Sequence, residues 1–358
     1  MNNRNLLYLN LAVDENDISL GFADSWIKQF SNNFDHVDVI TLNKSVKNIS
    51  KYENINIYGI SKEANLSKLN KLLKIKNIIS ELTSRTNYDL CFSHMSPLLL
   101  VLISIFANTK KLHKILWYTH PKPNNLFKKI ILYASAFYSI QIVTASKSSF
   151  PFKLKKVNNI GHAIDYDLFL NKRDKIINND FVILSRISKS KNLEIAIDGF
   201  LKSKFNKNSI SIIGDAVTKK DEQFKIFLQN KYNNNKNVIF KGRVPHKELP
   251  LILNNYSYHI NATPQGFYDK SVLETLSSGL YNFYSNSDYN KHFDNNLIRY
   301  TNFKLNSLSL AEILNSVHDL EEKTILEIIQ VGQKNVANES VSTIYKRIIS
   351  IAENLPNQ

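Results

Sequence analysis

The sequence has few of the residues that build several common kinds of site. It has a single cysteine, Cys91, in 358 residues, which excludes an intramolecular disulfide and a zinc site with several thiolate ligands. It has only nine glycines, which form neither the GxGxxG of a dinucleotide-binding fold nor the GxxxxGK[ST] of a phosphate-binding loop. No apolar run approaches the roughly 20 residues that span a bilayer, and the longest, residues 97–107, has about half that length.

The N-terminal sequence lacks the pattern of a cleavable signal. Its apolar stretch, residues 6–13, is short and is followed at once by Asp14, Glu15 and Asp17. A signal peptide has a longer apolar core and no acidic flank of this kind. We therefore expect a cytoplasmic protein.

Acidic residues are scarce in the first half of the chain. The formal net charge is +15, and the segment from Lys68 to Lys156 holds 15 Lys and Arg against two acids, Glu81 and Asp89. Such a segment attracts anionic partners, namely nucleic acid, an acidic membrane surface or a phosphorylated substrate. The alternatives are compositional drift in a chain rich in Asn and Lys, and a non-enzymatic protein that binds polyanions or membranes. No recognised nucleic-acid motif or basic helix occurs, so nucleic acid is not expected as a partner.

Short β-branched and aromatic runs alternate with longer segments of helical periodicity, which predicts an α/β fold with doubly wound parallel sheets. The alternation pauses at residues 153–180 and then restarts. We therefore predict two Rossmann-like domains facing across a cleft, over residues 1–170 and 171–335, with a helix at 336–358 that returns to the first domain. The predicted strands are 6–13, 37–42, 55–60, 88–93, 115–120, 140–145, 181–187, 210–213, 238–240, 256–261 and 280–285. The predicted helices are 22–32, 66–82, 98–107, 126–138, 193–202, 220–230, 247–253, 271–278, 308–318 and 340–353.

The second half contains residues suited to a nucleoside diphosphate. Arg186 lies at the end of a predicted strand and Lys191 in the next loop, where a guanidinium and an ammonium could bind a diphosphate. Two solvated loop cations are the simpler alternative. Gly266 then joins a strand to a helix N-terminus, which is an anion site. Glu274, expected in the first helical turn, could accept hydrogen bonds from ribose hydroxyls, although Ser271 and Glu274 also have the spacing of a capping box.

Four motifs follow one another between residues 180 and 290. They are Arg186 with Lys191-Asn192, Ile212-Ile-Gly-Asp215, Val238-Ile-Phe-Lys-Gly242, and Asp269-Lys-Ser-Val-Leu-Glu274 with Gly279. In order and spacing they resemble the C-terminal domain of retaining glycosyltransferases of family 4, which have the GT-B fold. Weaker matches extend the resemblance over most of the chain: Leu20-Gly-Phe22 with Trp26-Ile27, Ser93-His-Met95, Trp117-Tyr-Thr-His120, Thr144-Ala-Ser146, and Gly161-His-Ala-Ile-Asp165 with Phe169.

The resemblance implies a hexosyl or glycosyl transfer, with retention and without a metal. The donor would be a nucleotide sugar held by the second domain, and the acceptor a saccharide or lipid-linked molecule on the first, in the assembly of cell-surface polysaccharide or glycolipid. Arg186 and Lys191 would stabilise the leaving diphosphate, and Glu274 would bind the ribose. The other donor-side candidates are Gly21, Gly242, Arg243, Gly266, Phe267, Tyr268, Asp269 and Lys270. No cofactor is implied, and the base of the donor stays open.

One position departs from the family pattern. Two glutamates eight residues apart are usual, but the residue eight before Glu274 is Gly266. We therefore place the chain in a branch that has glycine there, with Asp269-Lys270 following. The departure leaves the donor sugar open.

Asp165-Tyr-Asp167 has the three-letter form of the metal motif of the other glycosyltransferase fold. It follows Gly161-His162 between the predicted domains, where it fits the GT-B pattern. Since cations already take the diphosphate role, no metal is predicted.

The nine histidines divide by position. His120, at the end of a predicted strand, resembles the family's donor-sugar histidine and is a catalytic candidate, although a structural role is the simpler reading for any one histidine. His94 and His162 are acceptor-side candidates. We expect His259 to be packed inside a strand, and we expect five at the surface: His36, His113, His246, His292 and His318.

The basic first domain suggests a peripheral location on the inner face of the cell membrane. Its lysines could dock on anionic lipid, with aromatic residues at the interface. The lysines and aromatics concerned are Lys110-Lys111, Lys114, Lys122, Phe127-Lys-Lys129 and Phe150 with Lys153.

Other enzymes of similar architecture are epimerases, which need no acceptor, and phosphorylases, which have much longer chains.

Overall fold

A computed structural model describes residues 4–13, 23–44, 52–59, 67–107, 112–121, 123 and 125–354. The chain divides into two compact units. The first comprises Met1–Gly161 and Val341–Gln358, and the second comprises His162–Ser340.

The first unit contains a seven-stranded parallel sheet. Its strands are β1 (Asn5–Val13), β2 (His36–Lys44), β3 (Ile55–Gly59), β4 (Leu90–His94), β5 (His113–Trp117), β6 (Gln141–Thr144) and β7 (Val157–Asn159). They are ordered β3-β2-β1-β4-β5-β6-β7, and each neighbouring pair is parallel. The order reverses between β1 and β4, which makes this a doubly wound sheet.

The second unit contains a five-stranded parallel sheet of the same kind. Its strands are β8 (Phe181–Leu184), β9 (Ile210–Ile213), β10 (Val238–Gly242), β11 (Tyr258–Asn261) and β12 (Tyr281–Tyr284). They are ordered β10-β9-β8-β11-β12, with the reversal between β8 and β11. Every residue of β8, β9, β11 and β12 is buried, as expected for parallel strands covered on both faces.

Twelve α-helices lie within the described residues. In the first unit they are α1 (Ala23–Ser31), α2 (Lys68–Arg85), α3 (Pro97–Phe106) and α4 (Leu126–Tyr138). In the second they are α5 (Tyr166–Phe169), α6 (Leu193–Leu201), α7 (Lys219–Lys231), α8 (Leu249–Leu253), α9 (Lys270–Ser277), α10 (Ser307–His318) and α11 (Glu322–Val336). The last, α12 (Val341–Glu353), belongs to the first unit.

Local sequence sets several helix starts in the first unit. The Ser67 side chain accepts a hydrogen bond from the Asn70 N–H at the start of α2, and Asn125 accepts one from the Lys128 N–H at the start of α4. Pro97 begins α3, where its missing N–H costs no helical hydrogen bond. Each cap satisfies an otherwise unpaired amide and contributes about 1 kcal/mol.

Two apolar layers cover the sheet of the first unit. Helices α2, α3 and α4 pack through residues such as Ile79 and Leu100 onto a cluster that includes Leu7 and Cys91. A second, aromatic cluster joins Trp26 and Phe30 of α1 to Tyr8 and Phe92 of the strands, and Tyr345 of α12 contacts Phe30. Full burial of such large side chains is worth about 2–3 kcal/mol each before entropy costs, so these layers hold the unit together.

The structure confirms the predicted fold class and corrects several predicted bounds. The pause predicted at 153–180 contains the short strand β7 and the four-residue helix α5, and α11 was not predicted at all. The strand predicted to reach His120 ends at Trp117. Strand β7 reads Val-Asn-Asn, a polar triplet with no apolar run, because it lies at the edge of the sheet. Within the described ranges, no helix combines the length and apolarity that a membrane crossing requires.

Candidate functional site

The loops that follow β8, β9, β10 and β11 meet at one edge of the second sheet, because the carboxyl ends of parallel strands share an edge. Gly214, after β9, has φ +137°, and a Cβ there would lie 1.9 Å from the Ser185 carbonyl oxygen. The Gly214 N–H donates to the Gly242 carbonyl at 2.8 Å. Gly242 ends β10 at a bulge with φ +72°, and the exposed Arg243 follows it. The sequence therefore brings its predicted glycines and Arg186 to one loop cluster.

Lys191 and Asp269 form a buried ion pair in this cluster. The Lys191 ammonium lies 2.6 Å from each carboxylate oxygen of Asp269, and Lys191 is 8% exposed. Asn192 has a left-handed backbone, and its amide donates to the Ala262 carbonyl at 2.9 Å. This contact fixes the loop after β8 against the end of β11. The positive charge of Lys191 is therefore partly neutralised by Asp269 within the protein.

Arg186 is the exposed cation of the same loop. It lies two residues after β8, and its guanidinium makes no hydrogen bond or ion pair to any described residue. It presents its fork to the solvent at the point where the strand order reverses. Of the two predicted diphosphate ligands, Arg186 is available to an anion and Lys191 is shared with Asp269.

Glu274 is held by a histidine from another loop. The Glu274 side chain is 8% exposed, and its Oε1 lies 2.9 Å from Nε2 of His246, which follows β10. The ring of His246 also packs edge-on against Phe169, with 5.1 Å between centroids. His246 was predicted as a surface residue without a role. Its position four residues after Gly242, in the loop that follows another strand of the same sheet, is the signal that could have indicated its role.

Helix α9 begins earlier than predicted. Its N-cap is Asp269, so Ser271 lies inside the helix and Glu274 in its second turn. The capping-box alternative is therefore wrong, and Ser271 Oγ is buried without a hydrogen bond in the described part of the chain. At the other end the Leu280 and Gly279 amides donate to Thr275 and Leu276, and Gly279 has φ +70°. Gly279 therefore ends the helix with a left-handed backbone, which glycine adopts readily.

Lys270 carries a perturbed charge at the start of α9. Burial lowers the pKa of its ammonium to about 8, and the negative charges of Glu274 and Asp165 oppose that shift. Asp165 was not predicted as a metal ligand. In the structure its negative charge acts on Lys270 at the start of this helix. Within the ranges given above, no group of three or more His, Cys, Asp or Glu is arranged to hold a metal ion.

The loop between β11 and α9 is anchored through Tyr268. Gly266 has φ +90°, and the Phe267 N–H donates to the Pro264 carbonyl at 3.2 Å. The hydroxyl of Tyr268 donates to Glu339 Oε1 at 2.9 Å and lies 2.7 Å from His292 Nε2. The Tyr268 side chain is thus buried inside the second unit, and only its backbone can face a ligand.

Glu339 is the centre of this buried network. It is 2% exposed, its Oε2 accepts from the His162 N–H at 2.5 Å, and Lys291 Nζ lies 2.6 Å from Oε1. Burial opposes ionisation, but a hydrogen bond from His292 and the charges of Lys291 and His292 lower the pKa of Glu339 to about 2. His292 was expected at the surface; it is 3% exposed, because Tyr268 and Glu339 satisfy its ring.

The predicted site residues of the first unit differ in their exposure. His94 ends β4 and is 2% exposed; its Nδ1 lies 3.1 Å from the Tyr8 hydroxyl, and its ring packs on Trp26 and Trp117. His120 is exposed, three residues beyond β5. Gly21, with its motif neighbours Leu20 and Phe22, lies outside the described residues.

Solved structures share the architecture of the whole chain. HepE from Anabaena in complex with UDP-glucose superposes with a TM-score of 0.76 at 14% identity, over 98% of this chain and 100% of that one. Sucrose-phosphate synthase from Thermosynechococcus elongatus gives a TM-score of 0.77 at 11% identity, over 98% of both chains. The chain has the GT-B fold.

A family model and a further solved structure also match parts of the chain. Residues 16–148, within the first unit, match the family model described as glycosyl transferase 4-like. TarM from S. aureus, in complex with fondaparinux, alpha-GlcNAc-glycerol and UDP, gives a TM-score of 0.60 at 14% identity, over 80% of this chain and 59% of that one. A search of curated protein sequences finds no relative.

Proposed function

We propose that this protein transfers a glycosyl residue from a nucleoside diphosphate sugar to a saccharide or lipid-linked acceptor, with retention and without a metal. The observation that carries the proposal is the loop cluster of the second unit. There an exposed guanidinium without a partner among the described residues lies on the same sheet edge as a buried, hydrogen-bonded carboxylate. The family match in the first unit and the GT-B fold support it.

Arg186 would bind the donor diphosphate. Its planar fork can make two parallel hydrogen bonds to phosphate oxygens, and those bonds strengthen as negative charge develops on the leaving group. Lys191 would share its charge between Asp269 and the diphosphate, and the ammonium of Lys270 would add a third positive charge. With three cations assigned to this role, the proposal needs no metal.

Glu274 would bind the ribose through its second oxygen. Oε1 accepts from His246, whereas Oε2 makes no hydrogen bond to a described residue. A carboxylate oxygen held in place can accept from two vicinal hydroxyls without losing side-chain entropy on binding. His246 is thus a positioning residue for Glu274.

The remaining assignments belong to the same proposal. Backbone groups of Gly266, Phe267 and Tyr268 would contact the donor sugar, in the branch where glycine replaces the first glutamate, and Gly242 with Arg243 would lie near the base. His120 would contact the transferred sugar, and His94 and His162 would lie on the acceptor side. We place the protein in the cytoplasm at the inner face of the cell membrane, in cell-surface polysaccharide or glycolipid assembly.

The test is a thermal-shift panel of nucleoside diphosphates without metal. UDP comes first, because the HepE and TarM structures contain it. At about 100 times its dissociation constant, a ligand adds roughly 2.7 kcal/mol to stability, which is a shift of several degrees. We expect one nucleotide to stabilise the wild type and neither Glu274→Ala nor Arg186→Ala.

A matched control is Glu312→Ala, which removes an exposed carboxylate from α10 and should keep the full shift. No shift with any nucleotide would contradict the donor site. Turnover of the matching nucleotide sugar without an acceptor, giving an epimer, would favour an epimerase on the same fold instead.

A further inference from the structure

Helix α4 presents its apolar residues outward. Six of its 13 residues are large apolar or aromatic side chains with 38–75% of their surface exposed. They are Leu126, Phe127, Ile130, Tyr133, Phe137 and Tyr138. The buried residues of the same helix are only Leu132, Ser135 and Ala136. A surface helix of a globular protein normally has the reverse arrangement, with its apolar stripe against the core.

The exposed apolar surface continues onto the neighbouring helices. Helix α3 contacts both α2 and α4, so the three lie side by side on one face of the first unit. Leu98 and Ile105 of α3 are 40% and 57% exposed, and Leu69 and Leu73 of α2 are 65% and 48% exposed. Exposed apolar side chains on adjacent helices mark an interaction site.

Positive charge surrounds this surface. The sequence has ten lysines and no Asp or Glu between residues 90 and 164. Lys128 is exposed on α4 itself. Phe152, whose ring lies 5.8 Å from that of Tyr133, brings the exposed Lys153 and Lys155 beside the helix. The predicted lysines Lys110, Lys111 and Lys122 lie outside the described residues.

We propose that the outer face of α4, with Lys128, Lys153 and Lys155 at its rim, binds the surface of a bilayer that contains anionic lipids. Exposed aromatic rings suit the depth of the headgroups, and lysines beside them reach lipid phosphates while their stems lie on apolar surface. A second copy of the chain fits less well, because pairing two such faces would bring lysines together with no acid from residues 90–164 to neutralise them.

The proposal goes beyond the transferase reaction, since it needs neither the donor site nor a second substrate. It is tested by co-sedimentation of the full chain with vesicles of phosphatidylcholine alone and of phosphatidylcholine with phosphatidylglycerol. We expect binding to the anionic vesicles at low salt and little binding to the neutral ones. Added salt should weaken the binding, because surface charges are screened.

Two variants separate charge from insertion. Removing three lysines in Lys128→Gln/Lys153→Gln/Lys155→Gln should weaken vesicle binding on the order of a hundredfold. Ile130→Gln/Phe137→Gln, which keeps every charge and uses helix-forming residues, should weaken it about tenfold or more. The control Lys207→Gln/Lys219→Gln/Lys220→Gln removes the same charge from exposed positions of the second unit and should bind as the wild type does.

Several results would overturn the proposal. These are equal binding to neutral and anionic vesicles, wild-type binding by either α4 variant, or a wild-type dimer in light scattering that Ile130→Gln/Phe137→Gln dissociates. The nucleotide thermal shift is measured on the same samples and should be unchanged in every variant. Vesicle binding without a nucleotide shift would overturn the proposed function and leave this surface intact.

Discussion

At the scale of single residues, the second unit relies on partners that come from different loops. Glu274 lies on α9, yet its orientation depends on His246, which follows β10. Lys191 follows β8, yet its charge is paired with Asp269 before α9. Glu274 and Lys191 therefore each have a neighbour whose loss should be measurable in ligand binding.

His246→Ala should weaken nucleoside diphosphate binding about five- to tenfold, because a freed Glu274 carboxylate must be reordered by the ligand and one hydrogen bond to a charged group is lost. His246→Asn, which retains a donor, should recover part of the loss. The measurement is titration calorimetry.

The matched control for that measurement is His318→Ala, since His318 has the same 41% side-chain exposure and bonds its own neighbour Asp319. Equal affinity of His246→Ala and His318→Ala would show that His246 does not position Glu274.

Lys270 should make donor binding depend on pH. Its pKa of about 8 in the free protein means that the ammonium loses its proton as the pH rises through that value. Because an anion prefers the protonated form, the dissociation constant for a nucleoside diphosphate should rise above pH 8, approaching about tenfold per pH unit if only the charged form binds. Calorimetric titrations on both sides of pH 8 measure this.

Lys270→Arg is the companion variant, because a guanidinium stays charged over this range. Its affinity should vary little with pH. The same slope in both proteins would assign the pH dependence to another group.

At the scale of elements, the loops after β8, β9 and β10 pack closely against one another. Gly214→Ala would place a Cβ 1.9 Å from the Ser185 carbonyl, beside Arg186, in a backbone conformation that L-residues rarely adopt. We expect a loss of about 3 kcal/mol or more in the free energy of unfolding, since backbone must move. Urea denaturation measures it.

Gly242→Ala is the matched control for this close approach of the loops. It also has a positive φ, but an added Cβ there would meet no described atom within 4 Å. Its cost should be the left-handed backbone alone, about 1–2 kcal/mol. If Gly214→Ala costs no more than Gly242→Ala, the close approach of these loops is not important for stability.

At the scale of the whole molecule, Glu339 joins the two ends of the second unit. It lies beside the last residue of that unit, Ser340, and binds the N–H of its first residue, His162. Ile164 also donates to the Glu339 carbonyl at 3.0 Å and bridges to Ser340. The chain therefore enters and leaves the second unit at adjacent positions.

This carboxylate should make the unit sensitive to acid. Its pKa is lowered from the ordinary 4.5 to about 2, so its stabilisation is present above pH 4.5 and is lost as the pH falls towards 2. The difference corresponds to about 3 kcal/mol. Urea unfolding of wild type and Glu339→Gln over this range should show a steeper loss in the wild type.

The control is Glu321→Gln, an exposed carboxylate before α11 whose side chain makes no capping hydrogen bond. It should follow the wild-type curve. Parallel curves for wild type and Glu339→Gln would mean that the neighbours of Glu339 do not lower its pKa.

The two parallel sheets, and the edge where the site lies, follow from the pattern of residues along the chain. Continuous apolar runs such as 181–184 can be satisfied only by burial on both faces, and parallel strands bring their carboxyl ends together. Arg186, Gly242, Gly266 and Glu274 could therefore be placed near one another without a structure. Elements without such a pattern, notably β7 and α11, were missed.

The pairing of side chains, in contrast, became visible only in the folded chain. Lys191 and Asp269 are 78 positions apart, and Tyr268 and Glu339 are 71 apart. For the same reason His246, which is exposed as predicted, was given no role, and His292 was wrongly expected at the surface. The outward apolar face of α4 was not predicted. Periodicity shows that a helix has an apolar side, and spacing shows that a residue is near a strand end. The partner of a side chain, and whether an apolar side faces protein or solvent, depends on how distant segments pack.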